Sequence, residues 1–212
     1  MSEHTPKVIT IVGAESSGKT TLARQLREHF ECPWVPEYAR EYLVSLGRPY
    51  VETDLEIIAE RQYEAIQDAV RHPSLAPYPL KGALKDLTPD HSSWEDQIKP
   101  KIQNLKSKIL IIDGGMMNLR MWERIKYKST IPIVEKALEN DVTDLYLLCR
   151  PHVQWEADPL REAPFLIDRV WIYNQYLEEL TREEKPVEIL GGSEKERLAL
   201  GISLIENMLI EK

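Results

Sequence analysis

One octapeptide constrains this 212-residue chain more than any other feature. It is Gly13-Ala14-Glu15-Ser16-Ser17-Gly18-Lys19-Thr20, placed directly after the apolar run Val8-Ile9-Thr10-Ile11-Val12 and directly before a helical pattern. The spacing fits G-x-x-x-x-G-K-[ST] in its required strand-loop-helix setting. Glycines let the chain turn tightly, so successive main-chain N–H groups converge into a concavity for an anion. A helix opening near Gly18 adds its positive dipole end at the same spot. In this pattern the Lys19 ammonium reaches the β- and γ-phosphates and the Thr20 hydroxyl ligates Mg²⁺. The motif therefore assigns Gly13, Ala14, Glu15, Ser16, Ser17, Gly18, Lys19, Thr20 and the following Thr21 to ATP. A Gly-rich turn without a ligand would share the letters but has no need of those flanks.

The rest of the chain repeats the strand-then-helix rhythm. Further apolar runs are Trp34-Val35, Ile109-Leu110-Ile111-Ile112, Leu145 to Cys149, and Val187-Glu188-Ile189-Leu190. The first, third and fourth of the five are nearly continuous, as strands covered on both faces are. Leu22, Leu26 and Phe30 mark a helix after the first run. Leu55, Ile58, Ala59, Gln62, Ala65, Ile66 and Ala69 mark another, with a capping box expected at Thr53 and Glu56. Ser193 and Glu196 open the last helix the same way, ahead of Leu198, Ile202, Ile205 and Leu209. Alternation of this kind makes an α/β fold with a mainly parallel sheet, here expected as one domain over residues 1–212. Residues 72–93, with Pro73, Pro77, Pro79 and Pro89, read as an insertion loop. A helical stripe then resumes at Trp94, Ile98, Ile102 and Leu105, and Pro100 inside it implies a kink or a late start.

Composition excludes several classes. Apolar residues at 42% and charged residues at 29% are globular values, so wholesale disorder is out. A net charge of −8 argues against a phosphate-backbone binder, so no nucleic-acid partner is expected. Two cysteines, Cys32 and Cys149, fit a reducing compartment better than a disulfide framework. Met1 to Pro6 lacks the basic and apolar regions of a signal peptide, and no run is long enough for a membrane span. A cytoplasmic protein without membrane contact is expected, and no motif speaks to its oligomeric state.

A phosphate loop of this kind needs an acid near the metal. Asp113 ends the Ile109–Ile112 run, at the strand edge where open α/β sheets place ligand chemistry. It is expected to hold the Mg²⁺ shell together with Thr20, or else to cap the helix after Gly114-Gly115.

Three segments taken together carry a resemblance. The loop with its Glu-Ser-Ser, then Glu37-Tyr38-Ala39-Arg40-Glu41, then Trp155-x-x-Asp158-x-x-Arg161, resemble the NadR-like P-loop family, from about residue 7 to the C-terminus with the Pro-rich insertion unmatched. The resemblance implies a three-layer α/β/α P-loop NTPase fold of nucleoside/nucleotide-kinase type, with five parallel strands in the order 2-3-1-4-5. It implies an ATP-dependent kinase acting on the 5′-hydroxyl of a nucleoside such as nicotinamide riboside. The family usually continues its metal acid as Asp-x-Asp; this chain has Asp113-Gly114-Gly115.

Against that background, Glu37 is expected to accept the acceptor hydroxyl's proton or grip its ribose diol, beside a substrate-binding Asp113. Arg40 is expected to neutralise phosphate charge, the alternative being a surface i, i+3 pair. Residues 150–169, with Arg150, Arg161 and Arg169, lie where such kinases carry a lid. Arg161 is the third catalytic candidate beside Lys19 and Glu37, and Arg150 is assigned to ATP. Trp155 is expected to stack on a base or to anchor the lid. Gly192, between the last strand and the last helix, is expected on the adenine side or as plain turn chemistry. A regulatory ATPase or GTPase switch is the competing reading; the Asn-Lys-x-Asp motif common in GTP switches is absent.

Overall fold

The computed structural model describes residues 5–73, 108–155, 158 and 160–210. Strand β1 (Lys7–Val12) runs through the centre of the sheet, and its residues beyond Lys7 are all buried. That explains why its sequence is an apolar run and not an alternation: both faces are covered. Around it lie β2 (Trp34–Val35), β3 (Ile109–Asp113), β4 (Leu145–Cys149) and β5 (Val187–Leu190), all parallel, in the order β2-β3-β1-β4-β5. This is the 2-3-1-4-5 order expected. The register sets Ile11 beside both Asp113 and Leu147, so the carboxyl ends of β1 and β3 emerge together.

The pleat divides the core. Ile9 and Ile11 point to one face, where α1 (Lys19–Phe30) and the last helix, α7 (Glu194–Ile210), supply Leu22, Leu26 and Ile205. Val8 and Val12 point to the other. There α2 (Tyr38–Leu46), α3 (Glu52–Arg71), α4 (Gly115–Trp122), α5 (Pro132–Glu139) and α6 (Leu166–Arg182) pack through residues such as Ile58, Met117, Val134 and Tyr176. Every member of the stripe expected on α3 is buried.

Boundaries differ from expectation in three places. Helix α3 opens at Glu52, not after Thr53: the Asp54 carboxylate accepts the Val51 N–H at 2.7 Å. Arg48 and Tyr42 fix that carboxylate from outside the helix, which is why Asp54 closes the box in place of Glu56. The Ser193–Glu196 box forms as expected, with Ser193 N–H donating to Glu196 at 2.7 Å and Glu196 N–H to Ser193 Oγ at 3.3 Å. A π-helical turn, Glu123–Tyr127, extends α4 and carries side chains into the site described below. The segment expected as a lid ends at Phe165, because residues 166–169 are the first turn of α6. Of the Pro-rich insertion, His72 and Pro73 are described; the rest of it and the stripe from Trp94 to Leu105 lie outside the described residues.

Cys32 and Cys149 are free and buried, and burial pushes each thiol up to about 12, so both act as small core groups. Among the described residues, no helix is long and apolar enough to cross a membrane.

Candidate nucleotide and acceptor site

The loop between β1 and α1 takes the backbone path its glycines permit. Gly13 (φ +150°), Ser16 (φ +52°) and Gly18 (φ +79°) all lie at positive φ. At Gly13 a Cβ would meet Ser17 Oγ at 2.8 Å and the Cys149 carbonyl at 2.9 Å. Ser17 N–H donates to the Ala14 carbonyl, closing the turn, and the first helical bond runs from Leu22 N–H to Gly18 at 3.0 Å. The N–H groups of Lys19, Thr20 and Thr21 precede that bond and have no intrahelical acceptor, so they are donors for an anion. Ser16 Oγ and Ser17 Oγ are buried there without a partner. Left-handed and right-handed residues in succession form the anion nest that the motif requires.

Asp113 lies beneath this loop, 1% exposed, and the Thr20 hydroxyl donates to it. Its Oδ1 has no hydrogen-bond partner. Burial and the nearby Glu37 carboxylate raise its pKa to about 6, against the pull of Lys19, the Thr20 bond and Arg24. The helix after it is capped by Gly114, so Asp113 is left for the site. At Gly115, where the resembled family would place a second acid, a side chain would be strained and crowded. A Cβ there would stand 3.1 Å from Ile112 Cγ2 and 3.2 Å from Thr10 Cγ2 at φ +58°, aimed at the core.

Glu37 is the N-terminal flank of α2, held in place because Gln62 Oε1 accepts the Tyr38 N–H at 2.8 Å. Asn118 Nδ2 donates to Glu37 Oε1 at 3.0 Å, and Tyr176 OH donates to Asn118 Oδ1 at 2.8 Å. Gly114 makes the meeting possible, since a Cβ at that position would stand 2.4 Å from Asn118 Nδ2. Neither Asn118 nor Tyr176 was expected from the sequence. Asn118 lies one turn into the helix after Asp113, a weak signal; Tyr176, deep in α6, carries none.

Asp158, Glu162 and Ala163, in the segment expected as a lid, are tied to the walls of the site. Glu15 Oε2 accepts the N–H of Glu162 at 2.7 Å and of Ala163 at 2.9 Å. Arg40 donates to Asp158 at 2.7 Å, so the structure pairs Arg40 with the segment expected as a lid. Lys126 and Tyr50 both donate to Glu162 Oε1, at 2.6 and 2.9 Å. A cavity of about 360 Å³ lies between, bounded by Gly13–Thr21, Glu37, Arg40, Asn118, Arg161 and Tyr176, with Leu43, Met121, Trp122 and Ile125 as its apolar wall. That volume is in the range of small-molecule sites, about 300–1,000 Å³. Arg161 also lines a second cavity of about 160 Å³, which shares Ser16, Gly18 and Thr21 with the first.

Asp113, buried beneath the loop, lines neither cavity, and three further expected residues fall elsewhere. Trp155 lines neither cavity; its ring lies 5.9 Å from the Arg161 guanidinium and 5.5 Å from that of Arg169, so it packs the lid. Arg150 lines neither and lies over Gly191. Gly192 (φ +89°) lies against Glu196, where the helix cap accounts for it.

Fold and site together define a P-loop α/β protein of the nucleoside/nucleotide-kinase-like type. Residues 8–197 match the family model described as AAA domain, and the chain belongs to that family. It is 23% identical over 209 residues to the "Trifunctional NAD biosynthesis/regulator protein NadR" of Escherichia coli and equally to that of Salmonella typhimurium. Each match covers 97% of this chain and 43% of the relative, so the chain spans less than half the length of these relatives. A crystal structure of NadR protein in complex with NR superposes with a TM-score of 0.68 at 20% identity, covering 97% of this chain and 52% of that one. NadR in complex with NAD and AMP-PNP gives 0.65 at 19%, over 97% and 50%. Thymidylate kinase from Ehrlichia chaffeensis gives 0.54 at 13%, over 96% and 98%.

Proposed function

We propose that this protein is an ATP-dependent small-molecule kinase that phosphorylates the 5′-hydroxyl of a ribosyl nucleoside, with nicotinamide riboside the foremost acceptor. One observation carries the reading: a single cavity is lined by the phosphate nest, by the Glu37–Asn118 pair and by Arg161. A switch that only reports its nucleotide needs no apolar wall such as Leu43, Met121, Trp122 and Ile125 in the same cavity as its phosphate loop. The resemblance to NadR-like chains and the likeness to NadR, solved with NR and with AMP-PNP, support the choice of acceptor.

In this reading the main-chain donors and Lys19 hold the triphosphate, and Arg161 neutralises charge on the phosphoryl group in flight. Glu37, oriented by Asn118, accepts the acceptor hydroxyl's proton as in-line attack proceeds. The apolar wall excludes water and fixes the nucleoside, so transfer rests on positioning and charge with no covalent intermediate. The orphaned Asp113 Oδ1 and the Thr20 hydroxyl on the same carboxylate fit a divalent ion that arrives with phosphates. Bound there, Mg²⁺ would offset the charge of the β- and γ-phosphates. Residues 1–212 form one domain in this reading, with residues 150–165 as its lid.

The test is ADP release with ATP, Mg²⁺ and a panel of nucleosides. Acceptor-dependent turnover with a phosphorylated nucleoside as product is expected. Slow hydrolysis unaffected by every acceptor would overturn the kinase reading in favour of a nucleotide switch.

A further inference from the structure

The cavity of about 160 Å³ adjoins the same loop but is not lined by Glu37, and its wall includes Ser16, Gly18, Thr21, Arg161 and Arg197. Arg197 comes from the first turns of α7 and is 7% exposed. Its Nη1 donates to the Ser17 carbonyl at 2.5 Å and lies so close to the loop that a Cβ at Gly18 would stand 2.9 Å from it. Its Nε has no acceptor. Among the described residues Arg197 makes no ion pair, whereas the equally buried Arg120 is matched by Glu123, Glu135 and Glu179. Glu194, the carboxylate sharing the cavity wall, is engaged by Gln25 at 2.5 Å.

A buried guanidinium facing one neutral carbonyl is poorly compensated, and such a group is kept where an anion completes it. We propose that Arg197 is the counter-charge of the α-phosphate of the bound nucleotide. The inference rests on the reading that the loop binds ATP. With the γ-phosphate directed toward Glu37, the phosphate chain runs back past Gly18 and Thr21 into the smaller cavity. The phosphate nearest the nucleoside then meets Arg197, beyond the reach assigned to Lys19. Ser17, held by the same guanidinium, couples loop shape to that contact.

Arg197→Gln tests this, because the amide retains a donor for the Ser17 carbonyl and removes the charge. Affinities of ATP, AMP and adenosine are measured by competition against a fluorescent ATP analogue, for the wild type, Arg197→Gln and Arg197→Lys. The expected result is a loss of about 10- to 100-fold for ATP and AMP alike in Arg197→Gln, with adenosine unchanged and a smaller loss in Arg197→Lys. The apo melting temperature should hold or rise, since an uncompensated buried charge has been removed. Unchanged ATP affinity, or an equal loss for adenosine, overturns the proposal, as does a lowered apo midpoint with ATP affinity retained, which would mark Arg197 as loop support. Should Arg197→Gln not fold, an Arg197→Lys variant that binds AMP as the wild type does and adenosine more weakly also overturns it. A wild-type protein that binds no ATP would instead refute the underlying kinase reading.

Discussion

Asn118 donates its side-chain amide to Glu37 while its carbonyl accepts the Tyr176 hydroxyl, so a buried phenol sets the orientation of a carboxylate it does not touch. A flipped amide would set its carbonyl against the Glu37 carboxylate, which only accepts, so the bond to Glu37 fixes Asn118 in this orientation. Glu37→Gln should lower kcat by about 10²- to 10⁴-fold, the usual share of a general base, with the KM for ATP changed by less than about threefold. Tyr176→Phe frees Asn118 and should lower kcat by about 3- to 30-fold, one hydrogen bond to a positioning group. Steady-state kinetics of the double variant give the decisive comparison. If Tyr176 acts through Glu37, the double variant is no slower than Glu37→Gln alone.

Glu15 has two jobs in one residue: its backbone shapes the phosphate nest and its carboxylate accepts two lid amides. Hydrogen bonds to a charged acceptor contribute about 1.5–3 kcal/mol each. Glu15→Ala should therefore loosen the lid and reduce kcat/KM for the acceptor by about 10- to 100-fold, while acceptor-independent ATP hydrolysis rises as water enters. Initial rates with and without acceptor check both halves.

Arg40 separates two roles by magnitude. Its guanidinium is 60% exposed and pairs with Asp158, and an exposed pair contributes about 1 kcal/mol or less. If lid pairing is its whole role, Arg40→Ala costs no more than about fivefold in kcat/KM. A loss beyond about 10²-fold would restore the phosphate-neutralising role that its position on α2 suggests from sequence. Arg161→Ala, by contrast, should cost about 10³-fold or more in kcat, because Arg161 lines the larger cavity, where the phosphoryl group would pass from the loop toward Glu37.

The sheet and the nest were legible in the sequence because both are local. Continuous runs as short as Ile109–Ile112 fit strands buried on both faces better than helices, and the loop motif specifies its own flanks. The start of α3 was misplaced because Thr53 and Glu56 have the right spacing, whereas Arg48 and Tyr42, outside the helix, select Asp54. The partners of Glu37 were hidden for the same reason: Asn118 is 81 residues away and Tyr176 a further 58. Arg197 reaches Ser17 across 180 residues. Such contacts depend on strand order, which the resemblance implied and the residue pattern alone did not.

Two aspartates should give the apo protein opposite pH responses. The Asp54 carboxylate, bonded by Arg48 and the Val51 N–H, is held well below the usual range, so its contribution is present above about pH 4 and is lost as pH falls. Asp113 is the reverse case. Its pKa of about 6 exceeds the unfolded value of about 3.9, so the folded state binds the extra proton between these values. Stability therefore declines as pH rises from about 4 to 6, and the cost of the ionised buried carboxylate is fully present above that. Asp113→Asn keeps the shape and removes the charge. In the absence of nucleotide it should be more stable than the wild type at pH 7.5, by about 1–3 kcal/mol, with the two converging near pH 4. Urea titrations across pH 4–8 measure the difference. A variant less stable than the wild type at pH 7.5 would show that Asp113 is a structural cap and not a charge held under strain for a ligand. A stabilised variant that has also lost turnover would show that the protein accepts a weaker apo fold to keep that carboxylate beneath the phosphates.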